Sequence, residues 1–241
     1  MTSKVDTRIP FKTKAKDWAY DHVPLGLVGR IVSVVAPGSS PFEAEIVRRN
    51  AIFVHVPKAA GTSIKTELYG RPQYGHRRIA EFYAYDPDRA ARYFKFGFVR
   101  NPWDRLLSAH SYLMSGKGTS GRDNLFAKTF LKPVGTFEEF VLRLETPAYR
   151  QAIMSYDHFR SQAWWVCLPG DSEHALDFLG RFEAMEADMA EVRARLGLTA
   201  SALVRSRSSQ HSDYRDAYSE RMKSIVRDVY QADIALFDYR F

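Results

Sequence analysis

Cysteine is nearly absent: Cys167 is the only one in 241 residues. A single thiol excludes an intrachain disulfide and any thiolate cluster for structural zinc, and it suits a reducing compartment. Beside Trp164 and Trp165 it reads as a small core hydrophobe, since no base partner stands near it in sequence. Long apolar runs are missing too. The most apolar N-terminal stretch, Leu25 to Ala36, contains Arg30, ends at Pro37-Gly38 and is too short to span a bilayer. It leaves room for at most a peripheral membrane contact, and without the pattern of a signal peptide the expected location is cytoplasmic. There is no solenoid-length repeat and no low-complexity tail. No His/Cys/Asp cluster has metal-ligand spacing, so no metal is expected. No helix-turn-helix, zinc or aromatic RNA-binding signature appears either, so nucleic acid is not an expected partner.

What is present suits a self-supporting globular fold: 45% of residues are hydrophobic and 26% charged. The net charge of +7 favours anions, a constraint of sign rather than identity. The length fits one α/β domain over 51–241, preceded by a partly irregular N-terminal arm over 1–50 that ends in the breakers Pro37 to Pro41. Oligomeric state is not written in the sequence.

Ala51 to Val56 is apolar on both alternating faces, as a buried parallel strand requires, and Pro57 stops it. A helix is expected over Thr62 to Tyr69, capped by Thr62 or Ser63. A second strand, Phe94 to Val99, runs into Arg100-Asn101-Pro102 and another helix through Leu106, Leu107 and Tyr112. Gly116 to Gly121 reads as a surface loop, Phe137 to Leu144 as a short helix, and Asp177 to Phe182 as a strand. Met185 to Leu196 reads as a helix stopped by Gly197, and the last helix covers about Ser219 to Phe237. Strands alternating with helices predict a P-loop-like, mostly parallel sheet with helices on both faces, its ligands outside the carboxyl ends of the strands.

Two such strand ends carry chemistry. Lys58-Ala59-Ala60-Gly61-Thr62-Ser63 offers successive backbone N–H groups, a helix N-terminus, a full charge and two hydroxyls to a bound anion. It is not a nucleoside triphosphatase loop, because here the lysine precedes the glycine. Taken alone, such a segment can be only a turn. The second end supplies Arg100 and, eight positions later on the following helix, Ser108, a fork and a hydroxyl suited to a terminal phosphate monoester. The plain alternative is an arginine paired with Asp104 and a serine facing solvent.

Together the segments Phe53-Val54-His55-Val56-Pro57-Lys58-Ala59-Ala60-Gly61-Thr62-Ser63 and Phe96-Gly97-Phe98-Val99-Arg100-Asn101-Pro102-Trp103-Asp104-Arg105-Leu106-Leu107-Ser108 resemble the 5'-phosphosulfate and 3'-phosphate loops of sulfotransferases that use 3'-phosphoadenosine-5'-phosphosulfate (PAPS). The likeness is to the carbohydrate group called sulfotransferase family 2, bacterial branch, and continues at Asp177 to Glu183, His211 to Arg215 and Phe237 to Phe241. Ala59 stands where members often have threonine, which leaves the backbone cradle intact, and His110 stands where tyrosine is common and reads as a packing choice.

The resemblance implies sulfuryl transfer from PAPS to a hydroxyl of a carbohydrate or glycolipid acceptor, with 3'-phosphoadenosine 5'-phosphate (PAP) as product. It implies Lys58 on the leaving phosphate, donor contacts from Lys58 through Ser63, Arg100 and Ser108, and His76 as general base. Imidazole titrates near neutrality, as such a base must. The plain reading of Gly75 to Arg78 is a basic turn that touches an acidic acceptor; His55 reads as a core residue, and Glu67 and Glu81 are fallback bases. The late basic loop Val204 to Ser209 matches a nucleotide-covering loop best at Ser209, although Arg207 stands where asparagine is frequent. A silent nucleotide- or glycan-binding module of the same fold is the alternative function.

Overall fold

A computed structural model describes residues 11–35, 40–70, 75–198 and 213–241. Three strands, β1 (Ala51–Val54), β2 (Phe94–Val99) and β3 (Phe178–Arg181), pair in parallel in the order β1-β2-β3. Phe53 lies opposite Phe96, and Phe96 opposite Phe178. The helices are α1 (Phe11–His22), α2 (Leu25–Val35), α3 (Ala44–Arg49), α4 (Gly61–Tyr69), α5 (Ile79–Tyr85), α6 (Pro87–Arg92) and α7 (Pro102–Ser115). They continue with α8 (Gly121–Phe126), α9 (Phe137–Arg143), α10 (Pro147–Met154), α11 (Ala163–Val166), α12 (Met185–Leu196), α13 (Glu220–Val229) and α14 (Gln231–Phe237). The expected α/β class holds, with a parallel sheet flanked by helices. None of the described helices is long and apolar enough to cross a membrane.

Contacts gather into two compact units: one holds Lys12–Arg100 and the residues from Gln162 through α12, the other Asn101–Ser161 and the residues from Asp213 onward. The chain leaves the sheet unit after β2 and returns before β3, so these are parts of one α/β domain rather than successive domains.

In the sheet unit every residue of β1 is buried, which is why it reads as an unbroken apolar run. The central strand carries a buried lysine. Lys95 pairs with Asp177 at 2.9 Å and donates to the Tyr93 carbonyl at 3.0 Å, while the Lys95 N–H donates to the same carboxylate at 2.7 Å. Because Asp177 immediately precedes β3, this doubly used carboxylate pins β3 to β2. Among the described residues of the first fifty, three helices form, α1, α2 and α3. Of these α2 packs on α5, with Val28 and Gly29 buried against Ala80 and Ala84. A Cβ on Gly29 would lie 1.6 Å from the Ala84 carbonyl oxygen, so only glycine permits this approach. β1 ends at Val54, two residues earlier than expected, and His55 follows it.

The helical unit is built on the Asn101-Pro102 turn. Asn101 caps α7 by accepting from the Trp103 N–H at 3.1 Å and donates to the Arg240 carbonyl at 2.7 Å, while Pro102 takes the first helical position. Behind it Trp103, Leu106 and Leu113 join Phe140, Phe159 and Tyr230 in the core. The fully buried Arg105 donates to the Arg160 carbonyl at 2.7 Å. His158, unremarkable in sequence, lies 3.3 Å from the buried Asp123, to which Tyr156 also donates at 2.5 Å. Burial alone would raise the Asp123 carboxyl, but hydrogen bonds from His158, Tyr156 and Ser120 hold it well below the usual carboxylate range. The single helix expected over 219–237 is two, broken at Tyr230, whose hydroxyl donates to the Phe159 carbonyl at 2.6 Å. Tertiary burial of that tyrosine overrides the continuous helical pattern.

His110 is buried, its ring 4.9 Å from Phe140 and 5.3 Å from Phe137. Its Nε2 has no hydrogen-bond partner among the described residues. The packing reading therefore stands. Burial pushes this imidazole from 6.5 down to about 4. The unfolded chain binds the proton first, so stability falls as pH drops through the window from 6.5 to 4, by up to about 3 kcal/mol. His110→Phe should flatten the dependence of Tm on pH in that window while leaving Tm at pH 8 unchanged or higher; an equally steep acid limb would show that His110 does not carry it.

Candidate active site

The site forms where β1 gives way to α4. Non-glycine residues avoid left-handed backbone, yet Lys58 has φ 70° and Ala60 has φ 61° with no positive φ at Ala59 between them. Such alternation is the backbone geometry of nests that cradle anions, and within it the Ala59 N–H donates back to the Val56 carbonyl at 3.4 Å. Ala60 is the N-cap of α4 and has no side-chain acceptor to offer, so Thr62 and Ser63 sit inside the first turn rather than capping it, with Gly61 ahead of them. The N-cap therefore brings no side-chain acceptor to the first-turn N–H groups at the positive end of this nine-residue helix. Ala59 is buried under the loop, Lys58, Ala60 and Ser63 are half-buried, and Thr62 is exposed.

The end of β2 meets this loop. Arg100 donates through Nη1 to the Lys58 carbonyl at 3.2 Å, and its guanidinium lies 4.0 Å from the centroid of the Phe182 ring. The peptide of Arg100 is clamped by the buried Gln162, which accepts from the Arg100 N–H at 2.9 Å and donates to its carbonyl at 2.8 Å. Gln162 and Phe182 went unassigned in the sequence because neither carries charge or sits in a recognisable turn; the Gly180-Arg181-Phe182 segment was the only signal. Arg100 and Lys58 are therefore brought together within the sheet unit. Ser108 lies on α7, half-buried, in the helical unit. Ser209 and the rest of the late basic loop lie outside the described residues.

His76 joins the loop through His55. The two imidazole centroids are 4.2 Å apart, and His76 Nδ1 lies 3.2 Å from the His55 carbonyl oxygen. A carbonyl only accepts, so this bond requires the proton on Nδ1, and in the neutral ring the lone pair then sits on Nε2. Trp165 stands 5.8 Å from the His76 ring on another side. His55 also backs the loop, because a Cβ on Gly61 would fall 1.8 Å from its Cδ2 and 1.9 Å from its Nε2. The sequence reading left His55 to the core. It is indeed buried, but it is also the piece that links the anion cradle to His76.

The neighbouring ionisable groups have other occupations. Arg77 pairs with Glu81 at 3.3 Å, and Arg78 is buried against Asp21 at 2.5 Å with its guanidinium 4.1 Å from the Trp164 ring centroid. Glu81 also accepts from the Arg78 N–H at 3.3 Å, and Glu67 receives the buried Arg193 at 2.5 and 3.1 Å. Neither glutamate is placed as a base. Cys167 is buried and forms no disulfide.

A strand-end loop with left-handed turns, an arginine behind it and an imidazole beside it are the kinds of parts a group-transfer site on an α/β domain needs. A family model described as sulfotransferase family matches residues 47–240. The chain belongs to that family, and with it to enzymes that transfer a sulfuryl group. No curated protein and no solved structure matches it.

Gly61→Ala should force the His55 ring aside and destabilise the fold by about 1–3 kcal/mol. Ala60→Gly should be near neutral, since relief of left-handed strain offsets the added freedom of the unfolded chain. Urea unfolding of the two variants decides: equal stability of Gly61→Ala and wild type would mean that the ring is not held there.

Proposed function

We propose that the protein transfers the sulfuryl group of PAPS to a hydroxyl of a carbohydrate-type acceptor, a polysaccharide, lipopolysaccharide or glycolipid. The observation that carries this reading is the pairing of a left-handed anion nest at Lys58 to Gly61 with an imidazole whose Nδ1 bond to the His55 carbonyl leaves Nε2 basic. Family membership makes the transferred group sulfuryl; the donor and the carbohydrate acceptor rest on the loop resemblance. The catalytic region is taken as 51–241.

In this mechanism His76 Nε2 takes the proton of the acceptor hydroxyl as its oxygen bonds to sulfur. The bond from sulfur to the bridging oxygen breaks, and the electron pair leaves with the 5'-phosphate of PAP. The Lys58 ammonium and the N–H groups of Ala60, Gly61, Thr62 and Ser63 meet the charge that builds there, while Ala59, whose N–H donates to the Val56 carbonyl at 3.4 Å, shapes the loop beneath them. The two hydroxyls of Thr62 and Ser63 add donors. Arg100 is assigned to the 3'-phosphate, where its fork suits a monoester; Ser108 and Ser209 keep a donor-binding assignment from the resemblance alone. Lys58 and Arg100 supply the positive charge, so no metal is invoked. The basic-turn alternative for Gly75 to Arg78 is weakened by the occupation of both arginines with carboxylates. A lone buried thiol suits the cytoplasm, and the net positive charge suits an anionic acceptor, with no nucleic acid and at most peripheral membrane contact.

The test is calorimetric titration of PAP into wild type, Lys58→Ala and Arg100→Ala, with ATP as control. Each substitution should weaken PAP by about 10- to 100-fold, the worth of one charge-assisted hydrogen bond, and ATP should not substitute. His76→Ala should bind PAP normally and lose about 10²- to 10⁴-fold in turnover. Equal binding of ATP and PAP would overturn the donor assignment, whereas PAP binding with no transfer to any hydroxyl would leave a silent binding module.

A further inference from the structure

Helix α4 does more than end the anion cradle. Gly61 and Lys65 are four residues apart and therefore share a face of the helix. Gly61 packs on the His55 ring. Lys65, only 2% exposed, donates from Nζ to the carbonyl of Gly75 at 3.2 Å. Gly75 is the residue before His76. One helical face thus meets the two neighbours of the candidate base: the histidine whose carbonyl holds its Nδ1, and the peptide that carries it.

An amine is a costly choice at this position. A buried ammonium loses hydration worth several kcal/mol, and a methionine of similar length would fill the same space without that loss. Glu43, ahead of α3, lines the same small cavity as Lys65, together with Glu45, Tyr69 and Arg77. Burial pushes the Lys65 amine from 10.5 down to about 8, opposed by Glu43, and burial pushes the Glu43 carboxyl up, opposed by Arg77 and Lys65. At neutral pH the amine is still mainly an ammonium, and it donates to the Gly75 carbonyl.

We propose that Lys65 is a positioning residue: its bond to the Gly75 carbonyl holds the His76 segment against α4, so that His76 keeps its Nδ1 on the His55 carbonyl and Nε2 as its basic nitrogen. The proposal rests on the reading of His76 as the base. It ties base and donor cradle to one rigid helix, which fixes their separation through about one helical turn of backbone. Three successive anchors then hold the segment: Lys65 at Gly75, the His55 carbonyl at His76, and the Glu81 carboxylate at the Arg78 N–H.

Lys65→Met removes the donor and Lys65→Gln keeps an N–H donor without the charge. The imidazole ¹H–¹⁵N correlation spectrum of ¹⁵N-labelled protein, with His76 assigned by its loss in His76→Gln, reads the tautomer directly and needs no acceptor. Wild type and Lys65→Gln should hold His76 in the single Nδ1–H form; Lys65→Met should give a mixture, with PAP affinity unchanged within about twofold, as the loop donors are untouched. On an acceptor that wild type sulfates, Lys65→Met should lower kcat by about tenfold or more with little change in KM, Lys65→Gln should restore it, and the double variant with His76→Ala should be no slower than His76→Ala alone. If Lys65→Met does not fold, Lys65→Ala, which admits water, is read the same way. A single tautomer and full turnover in the donorless variant, or losses that add to His76→Ala, would overturn the proposal. Full turnover in His76→Ala would instead overturn the base assignment and leave the tautomer readout to judge Lys65.

Discussion

The sheet unit depends on a backbone constraint at the end of β1: the chain must turn left-handed at Lys58 and again at Ala60 before α4 begins. Each such residue costs on the order of 1–2 kcal/mol without glycine, so the loop persists only because its two ends are over-determined. One end is β1, with every residue buried beside β2. The other is α4, whose Ile64 and Leu68 are buried and whose Gly61 is pressed on His55. Glycine at 61 serves close approach rather than turn geometry. The strain is borne by residues with side chains, one of them the lysine that the mechanism uses.

Buried ions do the rest of the fixing, and they fix loops more than they stabilise the fold. A buried pair returns little net stability, because desolvation consumes most of the Coulombic gain, but breaking one is severe and its geometry is demanding. Arg193 with Glu67, little exposed on either side, ties α12 to α4, while the buried Lys95 sets β3 against β2 through the exposed Asp177, and the buried Arg78 ties the segment after His76 to α1 through the exposed Asp21. Through that last pair the N-terminal helices, which precede the family match, support the segment that carries His76. Close packing of α2 on α5 at Gly29 acts in the same direction.

Much of this was legible in the sequence where one local signal sufficed. The residues of β2, the stop of α12 at Gly197 and the two polar strand ends follow from apolar runs, glycine and proline. The losses have a common origin in long-range partners. Nothing near Tyr230 announces the helix break, because its cause is the Phe159 carbonyl 71 positions away. Nothing near Arg100 announces Gln162, and the first fifty residues hide their helices because their packing surface on α5 lies outside them. His55 looked like a strand residue because its neighbours are apolar. Its role comes from what crosses it, a glycine from one side and a second histidine from another.

Long-range packing is also why a cradle and a base can be read as one device. An anion nest alone is a common turn, and a half-buried histidine alone is commoner still. Here each limits the other. His55 cannot be replaced by a larger ring without lifting Gly61 from the start of α4, and its carbonyl cannot shift without releasing the bond that sets the His76 tautomer. On the proposed mechanism the proton is accepted at His76 Nε2 only while Nδ1 is held, and Nδ1 is held by the peptide that follows β1. The charge of the leaving group would then be met by one short stretch of backbone, from His55 to Lys65, and the proton by the histidine which that stretch holds in place. That stretch is rigid because the sheet and α4 leave it no other packing.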